Sequence, residues 1–471
     1  MNSRISIKSL IAFGLPLILL LLPVEWYPLS GMTLVEKRMC CILVLAALCW
    51  ILEPIPVFST SVLIIVLELV MISDQAFVLF RSSAAPEVLG PLLPYKDIIG
   101  TFASPIIMLF LGGFFLAMAA TKYRLDQNLA RVLLKPFGNK PAHLMLGLMA
   151  ITAVFSMFMS NTATTAMMLA ILAPVLALFP EDDQGKIGFA LCIPIAANLG
   201  GIGTPIGTPP NAIALKYLTG EAGVTFSQWM AFGFPFVLIM IFVAWLLLKG
   251  LFPARIPEIN IEMKGRFLRT RKAIVVYIAF ASTILLWLTD FLHGMNAYVV
   301  ALIPVAVFSV TGIITKADLK KVSWDVLWLV SGGIALGLGL ERSGLAQHVI
   351  DAIPFGQLPV YLLIVCATLL AVLMANFISN TATANLLLPI VAALATSLDG
   401  LEVMGGLKNL VIMTALSCSM GLLLPVSTPP NALAFGTGNF QTKDMVRVGV
   451  FIMVAGYILI HLTGMLLRHF S

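Results

Sequence analysis

Two short polar phrases, each written twice, carry the chemistry this chain has to offer. Ser160-Asn161-Thr162-Ala163-Thr164 recurs as Ser379-Asn380-Thr381-Ala382-Thr383. Gly207-Thr208-Pro209-Pro210-Asn211-Ala212 is matched by Ser427-Thr428-Pro429-Pro430-Asn431-Ala432. Carbonyl and hydroxyl oxygens of this kind suit a hard cation such as sodium. Amide N–H groups, hydroxyl donors and helix N-termini suit an anion, most naturally a carboxylate. Pro209-Pro210 and Pro429-Pro430 each remove two N–H donors and free upstream carbonyls, and Gly200, Gly201, Gly203 and Gly207 let backbone approach a small ligand. A neutral site so built collects anion and cation together. Catalysis has nowhere to sit, because residues 141–179, 187–215, 357–398 and 409–440 contain almost no ionisable groups and Lys186 and Asp399 fall just outside. Ser160 and Ser379 have no His or Lys neighbour in sequence, so neither reads as an activated nucleophile.

The elements that position these phrases are membrane spans. The chain has 471 residues, of which 60% are hydrophobic and 11% charged, against about 25% charged in a soluble domain. Apolar runs long enough to cross a bilayer recur throughout, without the period-two alternation of a barrel strand. The expected fold is therefore an all-α polytopic membrane protein. Its spans are drawn at 9–23, 38–52, 57–73, 98–121, 187–217, 226–248, 273–290, 296–314, 325–341, 409–436 and 446–467. Segments 141–179 and 357–398 hold the Ser-Asn-Thr phrases near their centres; each reads as a helical hairpin that enters and leaves on one side. A polar break inside hydrocarbon must be buried in protein or line a cavity. With the N-terminus in the cytoplasm and both hairpins returning to their own side, most Lys and Arg stay inside. The basic cluster Lys264, Arg266, Arg269, Arg271 and Lys272 reads as a topology signal, which explains the net charge of +6 without a nucleic-acid partner. The stretch 9–23 reads as a retained first span, not a cleaved signal. The six cysteines fall in apolar segments and the five histidines form no cluster, so no protein metal centre is expected.

The repetition extends beyond the phrases. Gly112-Gly113 aligns with Gly332-Gly333, and Leu125, Leu129, Val132 and Leu133 align with Leu345, Val349, Ala352 and Ile353. These positions mark one face of a short helix. Arg124, Gln127, Asn128, Arg131 and Lys135 mark the other, so the helix is expected along the membrane surface, ending at Pro136 and, in the second copy, Pro354. An odd number of crossings separates matching elements. The repeats are therefore expected to be inverted, with their tips meeting near the midplane. Glu68, inside span 57–73 and unmatched in the other half, reads as a buried pair or polar contact at the scaffold at least as readily as a functional group; Glu341-Arg342, Asp290 and His293 read as interfacial.

With Ser-Asn-Thr-Ala-Thr at 160–164 and 379–383, Gly-Thr-Pro-Ile-Gly-Thr-Pro-Pro-Asn at 203–211 and Pro-Val-Ser-Thr-Pro-Pro-Asn at 425–431, the chain resembles the divalent anion/sodium symporter family over nearly its whole length. The resemblance implies a homodimer of two inverted-topology repeats, about 11 transmembrane helices plus two re-entrant helical hairpins, working by an elevator-like shift. It divides the chain into N-terminal, mostly scaffold spans (1–121), a first arm helix, hairpin and broken helix (122–217), a span with the basic linker (218–272), second scaffold spans (273–341), a second arm, hairpin and broken helix (342–441) and a last span (442–471). One sodium site would use Ser156, Ser160 and Asn161 with the Gly207 carbonyl, and the other Ser379, Asn380 and the Ser427 carbonyl. Substrate carboxylates would meet Asn161, Thr162, Asn380 and Thr381, with Thr208-Pro209 and Thr428-Pro429 closing the site. The chain departs from the family where Ala375 stands at the counterpart of Ser156, often a hydroxyl residue in relatives, which leaves open a weaker second cation site. The implied activity is sodium-coupled symport of a C4-dicarboxylate (succinate, malate or fumarate) across a bacterial inner membrane, with lipid as its surroundings and no organic cofactor. The alternatives are sodium-independent dicarboxylate or citrate antiport and, more remotely, an anion channel or a membrane-embedded hydrolase.

Overall fold

The computed structural model describes residues 6–82, 84–180, 182–259, 266–352, 359–397 and 400–468, and among them there is no named strand. Lys264, Ile353 and Pro354 lie outside the described residues. Short turns aside, the first half runs α1 (Ile7–Leu21), α2 (Leu34–Leu52), α3 (Val57–Met71), α4 (Pro105–Lys122), α5 (Leu125–Leu134), α6 (Pro141–Phe158), α7 (Asn161–Leu176), α8 (Gln184–Gly201), α9 (Pro209–Leu215) and α10 (Phe226–Leu251). The second runs α11 (Arg271–Leu288), α12 (Ala297–Val310), α13 (Trp324–Arg342), α14 (Leu345–Ala352), α15 (Val360–Phe377), α16 (Asn380–Ser397), α17 (Gly406–Cys418), α18 (Pro429–Phe435) and α19 (Thr442–Leu467). Among the described residues seven helices, counting Tyr95–Lys122 as one, are long and apolar enough to cross a bilayer. Shorter apolar helices, among them α1, α3, α7, α12 and α17, accompany them.

Local sequence explains where these helices start and stop. Thr33 and Glu36 form a capping box at α2, and Thr225 and Gln228 form one at α10, each satisfying N–H groups that the helix leaves orphaned. Pro105 and Pro141 occupy the first turns of α4 and α6, where a missing N–H costs nothing. Between α6 and α7 the backbone turns extended for Met159 and Ser160, with φ −129°, ψ 160° and φ −56°, ψ 130°. Between α15 and α16, Ile378 does the same, with φ −124° and ψ 165°. Serine at each restart favours the capping conformation over the helix interior.

The glycine pairs act where helices cross. α13 packs along α3 and α4 packs along α12. A Cβ at Gly332 would overlap Ser61 of α3, and one at Gly112 would overlap Ala301 of α12. Small residues thus let these backbones approach. Gly333 faces the other way, and a Cβ there would overlap the Asn385 amide of α16, which donates to the Leu329 carbonyl at 3.0 Å. Outside, Ile278, Leu285, Val310, Phe451 and Ile458 are exposed, as side chains in contact with lipid are.

Two expectations need correction, and a third is refined. In α5 the apolar positions do not share one environment: Leu125 is buried while Val132 and Leu133 are exposed, because Asp126 and Asn128 are buried on the protein side. Asp126 accepts from Thr121 Oγ1 at 2.8 Å and Asn128 donates to the Arg124 carbonyl at 2.7 Å, so polar groups anchor the arm. Glu68 is 0% exposed and lies against Gly339 of α13; neither oxygen has a hydrogen-bond partner among the described residues, and Lys216 is its electrostatic partner, in keeping with a buried pair. Asp290 is more than interfacial, since it accepts from the backbone N–H (3.2 Å) and hydroxyl (2.5 Å) of Ser227 in the first turn of α10.

Candidate functional site

A cavity of about 280 Å³ lies where the helix breaks of the two halves meet. Ser160, Asn161 and Thr162 line it from the α6–α7 break, and Ser379, Asn380 and Thr381 from the α15–α16 break. Gly207, Thr208 and Pro209 enter at the start of α9, and Ser427, Thr428 and Pro429 at the start of α18. Twelve of the thirteen residues singled out from the sequence therefore share one wall. The thirteenth, Ser156, is fully buried and sits behind the wall, donating to Asn161 Oδ1 at 2.6 Å or to the Ala197 carbonyl at 2.7 Å. Val57, Phe110, Phe114, Phe158, Ile206 and Leu329 supply the apolar remainder.

Two long helices begin at this cavity, α7 at Asn161 and α16 at Asn380. Their positive ends favour negative charge. Ser160 makes no side-chain cap on α7, whereas the Ser379 hydroxyl accepts from the Ala382 N–H at 3.2 Å. α9 and α18 present prolines instead of donors, so these ends offer little N–H to an anion.

Behind each asparagine, oxygens outnumber the protons available to them. The one hydroxyl proton of Ser156 faces both Asn161 Oδ1 and the Ala197 carbonyl. In the second half the Ser427 hydroxyl faces the Gly421 carbonyl at 2.9 Å and the Leu424 carbonyl at 2.7 Å. Asn380 Oδ1 is buried with no hydrogen-bond partner among the described residues. Ala375 explains that orphan, since no hydroxyl stands where Ser156 stands in the first half. Gly201 and Gly421 lie against the Asn161 and Asn380 amides, and a Cβ at either would overlap them. Unsatisfied oxygen lone pairs gathered in this way suit a hard cation.

The last asparagine of each Pro-Pro-Asn phrase has a different task. Asn211 Nδ2 faces the carbonyls of Gly201 (3.2 Å), Ile202 (3.1 Å) and Thr204 (2.9 Å). Asn431 Nδ2 faces the Gly421 and Leu424 carbonyls at 3.4 and 3.1 Å and Ser427 Oγ at 3.1 Å. Each amide clamps the unwound turn ahead of it and satisfies carbonyls that the break in the helix leaves without their regular partners. The Thr204 hydroxyl pins the first turn further by donating to the Met157 carbonyl.

Two cavity residues escaped the sequence reading. Asn198 of α8 donates to Thr428 Oγ1 at 3.1 Å and Asn431 Oδ1 at 2.8 Å, tying the first half to the second. In sequence it is a lone asparagine in an apolar run, a pattern shared with ordinary interhelical contacts. Asp325, in the first turn of α13, brings an ionisable group to a wall expected to have none. It is the first residue of the drawn span 325–341, away from the repeated polar phrases.

Residues 4–469 match the family described as the sodium:sulfate symporter transmembrane region. The sodium-dependent high-affinity dicarboxylate transporter 3 of Caenorhabditis elegans is 30% identical over 430 residues, covering 77% of this chain and 75% of its own length. A sodium-dependent dicarboxylate transporter of Staphylococcus saprophyticus is 29% identical over 455 residues, covering 87% of this chain and 82% of its own. Among solved structures, the YdaH transporter of Alcanivorax borkumensis aligns with a TM-score of 0.53 at 13% identity, over 78% of this chain and 87% of that one, a likeness of fold alone.

Proposed function

The chain belongs to the sodium:sulfate symporter family and is an integral membrane transporter, not an enzyme; from that premise we propose that it carries a C4-dicarboxylate such as succinate, malate or fumarate inward together with sodium. The observation that carries this reading is the cavity itself. Two Ser-Asn-Thr breaks face one space of about 280 Å³, each backed by oxygens without enough protons. One carboxylate meets Asn161 and Thr162 at the start of α7, and the other meets Asn380 and Thr381 at the start of α16. Thr208-Pro209 and Thr428-Pro429 close over it. One sodium ion draws on Ser156, Ser160, Asn161 and the Gly207 carbonyl, and a second on Ser379, Asn380 and the Ser427 carbonyl. The cations neutralise the dianion, so that a loaded cavity crosses hydrocarbon at a smaller charge cost.

In this reading residues 122–217 and 342–441 move as the transport domain, while 1–121 and 273–341 form the dimerising scaffold. The hairpins are re-entrant and the halves inverted in topology. The shift is elevator-like, with α5 and α14 as arms. The protein is a homodimer of a bacterial inner membrane, its N-terminus cytoplasmic.

Uptake of labelled succinate into proteoliposomes, with and without an inward sodium gradient, tests the proposal. Competition by malate, fumarate, citrate, glutamate and sulfate then ranks the anions. Sodium-dependent uptake competed by malate and fumarate supports it; flux that ignores sodium and needs internal dicarboxylate points to exchange instead. That second reading has its own observation in Ala375, which leaves Asn380 Oδ1 without the hydroxyl its counterpart has.

A further inference from the structure

A second polar cavity, of about 340 Å³, lies away from the transport site where the end of α5 meets α6. Arg131, Leu134, Lys135, Gly138, Asn139 and Ile259 supply most of its wall, and among the described residues no carboxylate lines it. Arg131 and Lys135, one helical turn apart, put both cationic side chains on one face of α5. Asn139 and Ile259 close one side, joined by the Ile259 N–H donating to the Asn139 carbonyl at 2.8 Å. Arg131 Nε is buried and without an acceptor, and no ion pair of Arg131 occurs among the described residues. A buried guanidinium N–H without an acceptor is costly and calls for one.

We propose that this cavity binds a phosphate group. Phosphate offers the guanidinium a bidentate partner and Lys135 a point-charge contact, the combination these side chains are built to hold. The neighbouring residues favour a phospholipid headgroup as its source. Val132 and Leu133, each 42% exposed, stand beside the two cations on the same helix, so acyl chains have apolar surface to follow next to the charged pocket. The fold itself does not require this basic pair. On the matching arm Asp351 stands where Arg131 stands on α5, and it is satisfied by Gln347 Nε2 at 2.8 Å. The site is thus particular to the first arm, and lipid held there would grip one end of a helix that joins scaffold to hairpin.

Native mass spectrometry of the full-length protein tests this. Wild type, R131Q/K135Q and the charge-matched control K316Q/K320Q are titrated with phosphatidylglycerol, phosphatidylcholine or inorganic phosphate. Wild type and control are expected to retain phosphatidylglycerol roughly tenfold more strongly than R131Q/K135Q, with phosphate competing. Binding of inorganic phosphate with the same dependence on Arg131, without the lipid, still supports the phosphate site but makes the ligand soluble. Equal retention of phosphatidylglycerol and of phosphate by all three proteins overturns the proposal. Should the double variant not fold, R131K decides the matter. It keeps the charge and loses the fork, so a severalfold weaker retention supports the assignment and unchanged retention overturns it.

Discussion

The two Ser-Asn-Thr breaks are nearly identical in sequence and differ in their surroundings. In the first, Thr162 is exposed and Asn161 half-buried. In the second, Asn380 and Thr381 are 9% and 8% exposed. The Pro-Pro-Asn breaks differ in the opposite sense. Thr208 and the residues before it are buried, whereas Val426 is 68% exposed and Pro429 is open. The covered pair, the second tip with the first broken helix, lies against α13: Asn385 reaches the Leu329 carbonyl and Lys216 reaches the Ile334 carbonyl at 2.8 Å. The open pair, the first tip with the second broken helix, is formed by α7 and α18, which pack on each other. Chemically equivalent halves thus meet the cavity from inequivalent sides. In the proposed transport cycle that difference corresponds to a one-sided state, because only one face of a nearly symmetric site can open at a time.

Breaking either tip is expected to have the largest effect. Asn161→Ala and Asn380→Ala each remove an amide that meets substrate and cation alike in the proposed site, so succinate uptake should fall by at least about tenfold. Size-exclusion profiles should stay those of folded protein. Wild-type uptake by either variant would remove that residue from the site.

Next comes the one position where the halves differ in cation chemistry. Ser156→Ala makes the first half copy the second and leaves Asn161 Oδ1 without its donor. The sodium concentration for half-maximal uptake should rise about fivefold, close to the roughly 1 kcal/mol that one ordinary hydrogen bond contributes. Ala375→Ser should lower it by a smaller factor. Sodium titrations of initial uptake rates in both variants read these shifts, and equal sodium dependence in all three proteins would mean that Ser156 and Ala375 do not tune a cation site.

A third asymmetry is the bridge between halves. Asn198 supports Thr428 and Asn431, but its counterpart in the second half is Cys418, and Asn211 Oδ1 is left buried without a partner. Asn198→Cys should therefore cost roughly 1–3 kcal/mol by orphaning Asn431 Oδ1, seen as a lower melting temperature in detergent. Dicarboxylate affinity should weaken too, as Thr428 loses its anchor. A melting temperature that does not move would show the bridge to be energetically idle.

Much of this was readable from the chain because it is written locally. Prolines, capping serines and threonines, and Gly-Gly pairs fix helix ends and crossings by their own stereochemistry, so most helix ends fall close to those of the drawn spans, whereas α4 starts at Pro105 inside the span drawn from 98, and the spans 187–217 and 409–436 each break into two helices. The Ser-Asn-Thr and Pro-Pro-Asn phrases were visible because they are polar inside apolar runs and occur twice. Asn198 was not, since its partners are more than two hundred residues away and its local pattern is common. The second tip's burial also has no local signature, for Asn385 packs there only because Gly333 on another helix leaves room for its amide. Position along α5 misled for a related reason: lipid and protein are both apolar, so hydrophobic spacing does not say which of them a face meets.

Asp325 sharpens the comparison by a smaller amount. It belongs to the second half only, and it places one exposed carboxyl on the wall of a cavity proposed to take dianions. Solvent screens an exposed charge, so Asp325→Asn should lower the half-saturating succinate concentration by about twofold to threefold. A larger gain for citrate than for succinate would mark Asp325 as a filter against more highly charged acids. Weaker succinate binding in Asp325→Asn would show instead that this carboxyl helps to hold a cation.

The smallest expected effect concerns the ends of the crossing helices. Lys122, at the end of α4, donates to Asp318 at 2.6 Å and to the Ile313 carbonyl at 2.8 Å, tying α4 to the loop after α12. Arg342, the matching residue at the end of α13, has no ion pair among the described residues. Hydrogen bonds from Lys122 and Thr315 hold the Asp318 carboxyl down from 3.8 to about 2. A depressed carboxyl stabilises the folded state above its unfolded value and loses that contribution as pH falls through its folded value. The tie should therefore be complete at neutral pH and fade between about pH 4 and pH 2. Lys122 is partly exposed, so Lys122→Gln should cost less than about 1 kcal/mol at pH 7, and the difference from wild type should vanish near pH 2. Arg342→Gln should cost less still. Equal losses from the two substitutions, or a loss independent of pH, would mean that the ion pair does not distinguish the two crossings.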